Sequence, residues 1–165
     1  MIKIFVAVAV VLVIGFIVLA REDGNVTGTI SAITSGNDAD NGVLDLNGQE
    51  MKKIPNYAFN KTDIQKLDLS NNNLGGSLPA EVRQLQKLKT LNLSNNHFAG
   101  IPAEVGQLKN LEELNLSGNQ ITGLPYELGN LSNLKVLNLR GNAYSRADLE
   151  IIKKKLPPTT EVLTD

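Results

Sequence analysis

A chain of 165 residues with 16 lysines and arginines against 17 aspartates and glutamates has the length of one domain and a net charge of −1. That balance excludes the basic footprint of a nucleic-acid binder. The lack of cysteine excludes disulfides, thiol catalysis and cysteine-ligated zinc, and a lone histidine, His97, leaves a His-based triad with no partners that the sequence singles out.

Residues 4–20 read Ile-Phe-Val-Ala-Val-Ala-Val-Val-Leu-Val-Ile-Gly-Phe-Ile-Val-Leu-Ala, bounded by Lys3 and by Arg21-Glu22-Asp23. At 1.5 Å per residue, roughly 17 apolar residues span about 25 Å as a helix. We therefore expect residues 1–20 to form one hydrophobic helix, a signal anchor that meets the membrane through residues 2–20. Two alternatives stay open: a signal peptide cut after Val18-Leu19-Ala20, which would release a secreted chain, and a buried helix. Lys3 and the amino terminus oppose a lone Arg21, which favours repeats outside the cytoplasm. Without Lys3, 15 basic residues face 17 acidic ones.

Residues 21–40 are rich in Gly, Asn, Thr, Ser and Asp and predict a flexible linker or N-terminal cap, with a short strand near 27–33. If flexible, the twenty or so linker residues have a root-mean-square span of about 25 Å.

From residue 41 onward the chain repeats itself. Leu88-Lys-Thr-Leu-Asn-Leu-Ser-Asn-Asn96 returns as Leu111-Glu-Glu-Leu-Asn-Leu-Ser-Gly-Asn119 and as Leu134-Lys-Val-Leu-Asn-Leu-Arg-Gly-Asn142, each step being 23 residues. Residues 64–87 form the same unit with one residue more, an excess that Gly75-Gly76 can absorb. Leu44, Leu46, Met51 and Ile54-Pro55 keep the frame one step earlier, with Gln49 where later units have asparagine. A fixed period of this length is the signature of a solenoid. Alternation such as Leu91-Asn92-Leu93 puts leucines on one face of a short strand. Stacked units then place these strands in a parallel sheet over a shared core, stable only with three or more units.

These residues resemble the leucine-rich repeat family, whose pattern L-x-x-L-x-L-x-x-N-x-L-x-x-L-P-x-x-I-x-x-L is matched almost position by position from Ile64 to Asn142. Leu-Ser-Asn-Asn-Asn-Leu-Gly-Gly-Ser-Leu-Pro looks like the plant-type variant and the other units like the LP-containing bacterial type. The resemblance implies an α/β, right-handed solenoid with a short parallel sheet on its concave face, occupying residues 41–165. It also implies that Asn72, Asn96, Asn119 and Asn142 are buried and bond backbone groups of adjacent turns, while Pro79, Pro102 and Pro125 fix φ on the convex return path.

A C-terminal cap is expected from about residue 143. Ser145-Arg-Ala-Asp148 resembles a capping box with Asp in place of Glu, opening a helix over residues 147–155, and residues 160–163 suit a closing strand. The Lys153-Lys154-Lys155 run falls in the last helical turn, where the helix dipole favours cations, and reads as a solvated face or a lipid-binding patch.

The outward positions of the strands form three columns. The first is Val43, Lys66, Thr90, Glu113 and Val136; the second Asp45, Asp68, Asn92, Asn115 and Asn138; the third Asn47, Ser70, Ser94, Ser117 and Arg140. The candidate binding face is drawn from them: Lys66, Asp68, Ser70, Thr90, Asn92, Ser94, Glu113, Asn115, Ser117, Asn138 and Arg140. It offers hydrogen bonds and no Trp, Tyr or Phe anchor of the kind that dominates hot spots. Glu81, Glu104 and Glu127 recur on the convex side as a product of the repeat rather than a metal site, and no cofactor is implied. Asn25, Asn60, Asn92, Asn115 and Asn130 head glycosylation sequons, and sugars on Asn92 or Asn115 would obstruct the sheet. The resemblance implies a non-enzymatic module that binds a protein, peptide or glycan through the concave face. A structural or envelope spacer built from the same repeats is the alternative.

Overall fold

The computed structural model describes residues 9–13, 16–20 and 42–165, within two compact units, residues 1–36 and 37–165. In the first unit, strands β1 (Ala9–Val13) and β2 (Phe16–Ala20) pair antiparallel, Ala9 opposite Ala20 and Val13 opposite Phe16. Where the chain is described, these strands stand in place of the expected helix. Five of the ten paired residues are Val or Ile, whose branched Cβ restricts χ1 in a helix and packs well on a pleated surface. Among the described residues, no helix is long and apolar enough to cross a membrane. The remainder of the apolar run, the linker up to residue 41 and the strand expected near 27–33 lie outside the described residues.

The second unit is a stack of coils. Its strands in chain order are β3 (Val43–Asp45), β4 (Lys66–Asp68), β5 (Gly75–Ser77), β6 (Thr90–Asn92), β7 (His97–Gly100), β8 (Glu113–Asn115), β9 (Val136–Asn138) and β10 (Glu161–Leu163). Six of them form one parallel sheet in the order β10-β9-β8-β6-β4-β3. Its register places Leu44, Leu67, Leu91, Leu114 and Leu137 side by side, with Val162 at the end. These leucines, and the partners two residues on such as Leu69 and Leu93, are buried in one continuous core. Truncating one, as in Leu91→Ala, removes contacts that cost about 2–5 kcal/mol in a packed interior.

The return path is built by Pro79, Pro102 and Pro125, at φ −61°, −75° and −68°, each followed by a 3₁₀ segment: Ala80–Gln84, Ala103–Gln107 and Tyr126–Asn130. A short helix α1 (Tyr57–Asn60) takes this place in the first coil. Gly106 lets neighbouring segments close up, because a Cβ there would lie 2.1 Å from the Glu127 carbonyl oxygen.

The extra residue of the second coil falls between Asn72 and Pro79, a span one residue longer than that from Asn96 to Pro102. Gly76 there has φ +75°, and the pairing of β5 with β7 shifts register after it, Gly76 standing opposite Phe98 and Ser77 opposite Gly100, so that Ala99 of the next coil is passed over. Pairing of β5 with β7 as a second sheet was not foreseen, because Gly-Gly-Ser has no alternation to read.

After the last repeat, α2 (Arg146–Lys153) buries Leu149 and Ile152. Ser145 Oγ accepts from the Asp148 amide at 3.2 Å, the forward half of a capping box. The reverse half is not made: Asp148 Oδ1 instead accepts from the Tyr126 hydroxyl at 3.1 Å. The shorter Asp side chain turns to the neighbouring coil.

Candidate functional site

Three of the family asparagines, Asn72, Asn96 and Asn119, are buried, and Asn142 in the last repeat is half-buried. Asn96 Nδ2 donates to the carbonyls of Leu69, Leu93 and Ser94 at 2.9, 3.1 and 3.2 Å, and its Oδ1 accepts from the Leu74 amide at 3.1 Å. Asn72, Asn119 and Asn142 repeat this scheme. Each amide thus ties its own coil to the preceding one, with its polar atoms spent on backbone groups.

The sheet face carries the outward columns in register. Lys66, Thr90, Glu113 and Val136 stand side by side, as do Asp45, Asp68, Asn92, Asn115 and Asn138. Every member of the second column has its Oδ1 fixed by the residue two positions on. Asp45 accepts from the Asn47 amide, and Asp68 from the Ser70 amide and hydroxyl at 3.0 and 2.6 Å. Asn92 and Asn115 hold both groups of Ser94 and Ser117, and Asn138 holds the Arg140 amide. This is the Asx-type turn that short amide and carboxylate side chains form with their own backbone.

That geometry corrects part of the candidate face. Ser70 and Ser94 are buried, at 3% and 7% exposure, their hydroxyls donated to Asp68 and Asn92. They brace the second column instead of contacting solvent, and Ser117 is half-buried in the same role. Bracing aims the remaining atom of each amide off the sheet. Nδ2 of Asn92 donates to Asp68 Oδ2 on the adjacent strand at 3.1 Å, whereas Nδ2 of Asn115 and of Asn138 make no hydrogen bond among the described residues. The face therefore presents carboxylates at Asp45 and Asp68 and oriented N–H donors at Asn115 and Asn138. Arg140 extends past the last of these, its Nε donating to the Thr164 carbonyl at 3.4 Å.

Sequence reasoning passed over an exposed amide row at the corner after each strand. Asn71 Nδ2 donates to Asn47 Oδ1 at 3.0 Å, and Asn95 Nδ2 to Asn71 Oδ1 at 2.9 Å. Asn71 and Asn95 both have φ 54°, and Gly118 and Gly141 take the same left-handed corner in later coils. The alternation of Asn and Gly in this slot is the signal that would have found it.

Two other features lie away from the sheet columns. A cleft of about 450 Å³ is lined by Lys53, Ile54, Phe59, Asn60, Pro79 and Glu81. His97 is exposed, its Nδ1 3.3 Å from Gln120 Nε2. Among the described residues, no group of acidic and histidine side chains is arranged to hold a metal ion.

A family model described as a leucine-rich repeat region matches residues 43–157. Among curated proteins, the nodulation receptor kinase of Pisum sativum is 57% identical over 35 residues, covering 21% of this chain and 4% of the relative. Receptor-like protein 15 of Arabidopsis thaliana is 39% identical over 57 residues, covering 34% and 6%. Among solved structures, a leucine-rich repeat protein of Leptospira interrogans matches with TM-score 0.63 and 40% identity over 68% of this chain and 28% of that one. The plant peptide hormone receptor RGFR1 in complex with RGF2 matches with TM-score 0.59 and 29% identity over 74% and 24%. This chain therefore spans a small part of the length of these proteins.

Proposed function

The chain belongs to the leucine-rich repeat family, and from that premise we propose that its sheet face is the recognition surface of a non-catalytic binding module. The ligand is a protein or peptide segment lying across the strands, with a glycan as the other hydrogen-bonding class. One observation carries the reading: Asn115 and Asn138 are held by their Oδ1 atoms, with Nδ2 unspent among the described residues. Two oriented donors on adjacent strands, about 4.8 Å apart, suit the carbonyls of an extended backbone. Asp45 and Asp68 suit a basic group further along it. The solved plant receptor bound to RGF2 supports this assignment by analogy.

The apolar residues 4–20 hold the module at a membrane in this reading, with the repeats outside the cytoplasm. Identifying the mature amino terminus and testing protease access in intact cells checks processing and sidedness. For the face itself, partners crosslinked to the wild type are compared with those captured by Asp68→Lys and Asn92→Arg. Capture falls about tenfold in each variant if charge and donor pattern select the ligand. Unaltered partners in both would remove the sheet face from consideration.

A further inference from the structure

The repeat also gathers charge on one flank. Where each return segment ends and the next strand begins, residues 61–65, 84–89, 107–112, 130–135 and 153–160 contain eight lysines and two carboxylates. Counting also Glu150, whose carboxylate holds Lys153 at 3.0 Å, this leaves +5 on one side of a chain whose net charge is −1. The coils bring these loops together directly: the amides of Lys89, Glu112, Lys135 and Glu161 donate in turn to the carbonyls of Gln65, Lys89, Glu112 and Lys135. Both flank carboxylates are already spent, Asp63 on Lys87 and Glu112 on Lys135. Lys109 Nζ caps the carbonyls of Gly106 and Asn130. The ammoniums of Lys61, Lys89, Lys154 and Lys155 make no hydrogen bond or ion pair among the described residues. Lys155 is seated against Gly129, which fixes the end of the row to the last repeat.

We propose that this lysine flank is a docking surface for anionic lipid headgroups, so that the solenoid lies on the bilayer by that side. The strip runs across all five coils and consists of lysines, compact point charges that do not impose bidentate geometry. The exposed large apolar side chains, Tyr57, Tyr126 and Ile151, lie on the return segments and α2 outside these loops, so the flank has no anchor for a specific macromolecular pocket. A planar field of phosphates is the partner that such a row fits. The inference rests on the membrane tether proposed above. It adds that the repeats have a fixed orientation, with the sheet face kept clear.

The test uses the full chain reconstituted in vesicles of neutral lipid alone or with anionic lipid. As the chain lacks cysteine, Ser132→Cys on this flank and Ala99→Cys on the opposite one each take a single fluorophore, and nitroxide-headgroup lipid reports proximity. Quenching at position 132 is expected to be about threefold or more stronger on anionic vesicles. It should vanish in about 0.5 M salt, where the screening length is about 4 Å, and in Lys89→Glu/Lys154→Glu/Lys155→Glu, while position 99 stays unquenched. Equal quenching at both positions, no dependence on lipid charge, or displacement by polyglutamate at a concentration that binds without vesicles would overturn the proposal. Flotation with vesicles of either composition reports the tether separately, so loss of flotation condemns the tether, and retained flotation with no flank quenching condemns the flank.

Discussion

Asn92 Nδ2 donates to Asp68 Oδ2 across adjacent strands at 3.1 Å, while Asn115 and Asn138 make no such cross-strand bond. Asp68 and Asn92 are thereby closed on one another, while the Nδ2 groups of Asn115 and Asn138 are open among the described residues. Replacing Asn115 or Asn138 by Asp keeps the oxygen that accepts from Ser117 or Arg140 and removes only the open N–H donor, so it should weaken ligand capture with a stability change within about 0.5 kcal/mol. Asn92→Asp should in addition cost about 1 kcal/mol, because it replaces the donor to Asp68 by a like charge beside it. Capture assays and urea unfolding on the same three variants check this split. Equal stability loss in all three would contradict it.

The buried amides predict a different outcome. Asn96→Ala orphans the Leu74 amide and leaves three carbonyls short of a donor. The expected loss is about 2–4 kcal/mol, measured as a lower urea midpoint at unchanged slope. A loss below about 1 kcal/mol would mean that water replaces the amide.

Two glycines separate packing from flexibility. At Gly106 a Cβ would sit 2.1 Å from the Glu127 carbonyl oxygen, whereas at Gly123 it would meet nothing within 4 Å. Gly106→Ala should destabilise by more than about 2 kcal/mol, and Gly123→Ala should be neutral or stabilising by up to about 1 kcal/mol. Thermal unfolding of the pair decides, and similar midpoints would refute the close approach.

Titration offers a fourth check. The hydrogen bond from Tyr126 to the Asp148 carboxylate, and then that group's charge, hold the Tyr126 phenol above the ordinary 10.0. A raised folded value favours the neutral phenol, so the contribution is complete below pH 10 and disappears as pH climbs through the folded value. In ultraviolet titration the Tyr126 step, identified by its loss in Tyr126→Phe, should move to lower pH in Asp148→Asn.

Acid acts oppositely on Glu112. Lys135, by hydrogen bond first and charge second, holds its carboxyl below the ordinary 4.5. A depressed folded value means that the contribution is present above pH 4.5 and is lost as pH falls through the folded value. The stability gap between wild type and Glu112→Gln should stay flat from about pH 5 to 9 and close in acid. A gap that widens in acid would contradict the pairing.

The leucine spacing was sufficient to read the main sheet, because alternation at Leu91 and Leu93 has one burial-consistent register. The buried role of Asn96 was legible too, through the family pattern. Ser70 and Ser94 were misplaced because alternation assigns a face and cannot reveal that a short hydroxyl folds back on its own strand. Of the flank lysines only the Lys153-Lys154-Lys155 run was legible, and the row it ends was not: Lys89 and Lys135 lie 46 residues apart in the chain and meet only through the period. At residues 9–13 and 16–20, uniform apolarity carries no period, so helix and strand were indistinguishable by pattern alone.

The longer corner of the second coil has a practical corollary. Because its surplus residue lies between Asn72 and Pro79, outside the main sheet, Lys66, Thr90 and Glu113 still line up across that sheet. Coil length and surface chemistry are thus separable variables. A designer could lengthen a coil at this corner, or graft one of 24 residues beside one of 23, without scrambling the row of side chains on the sheet.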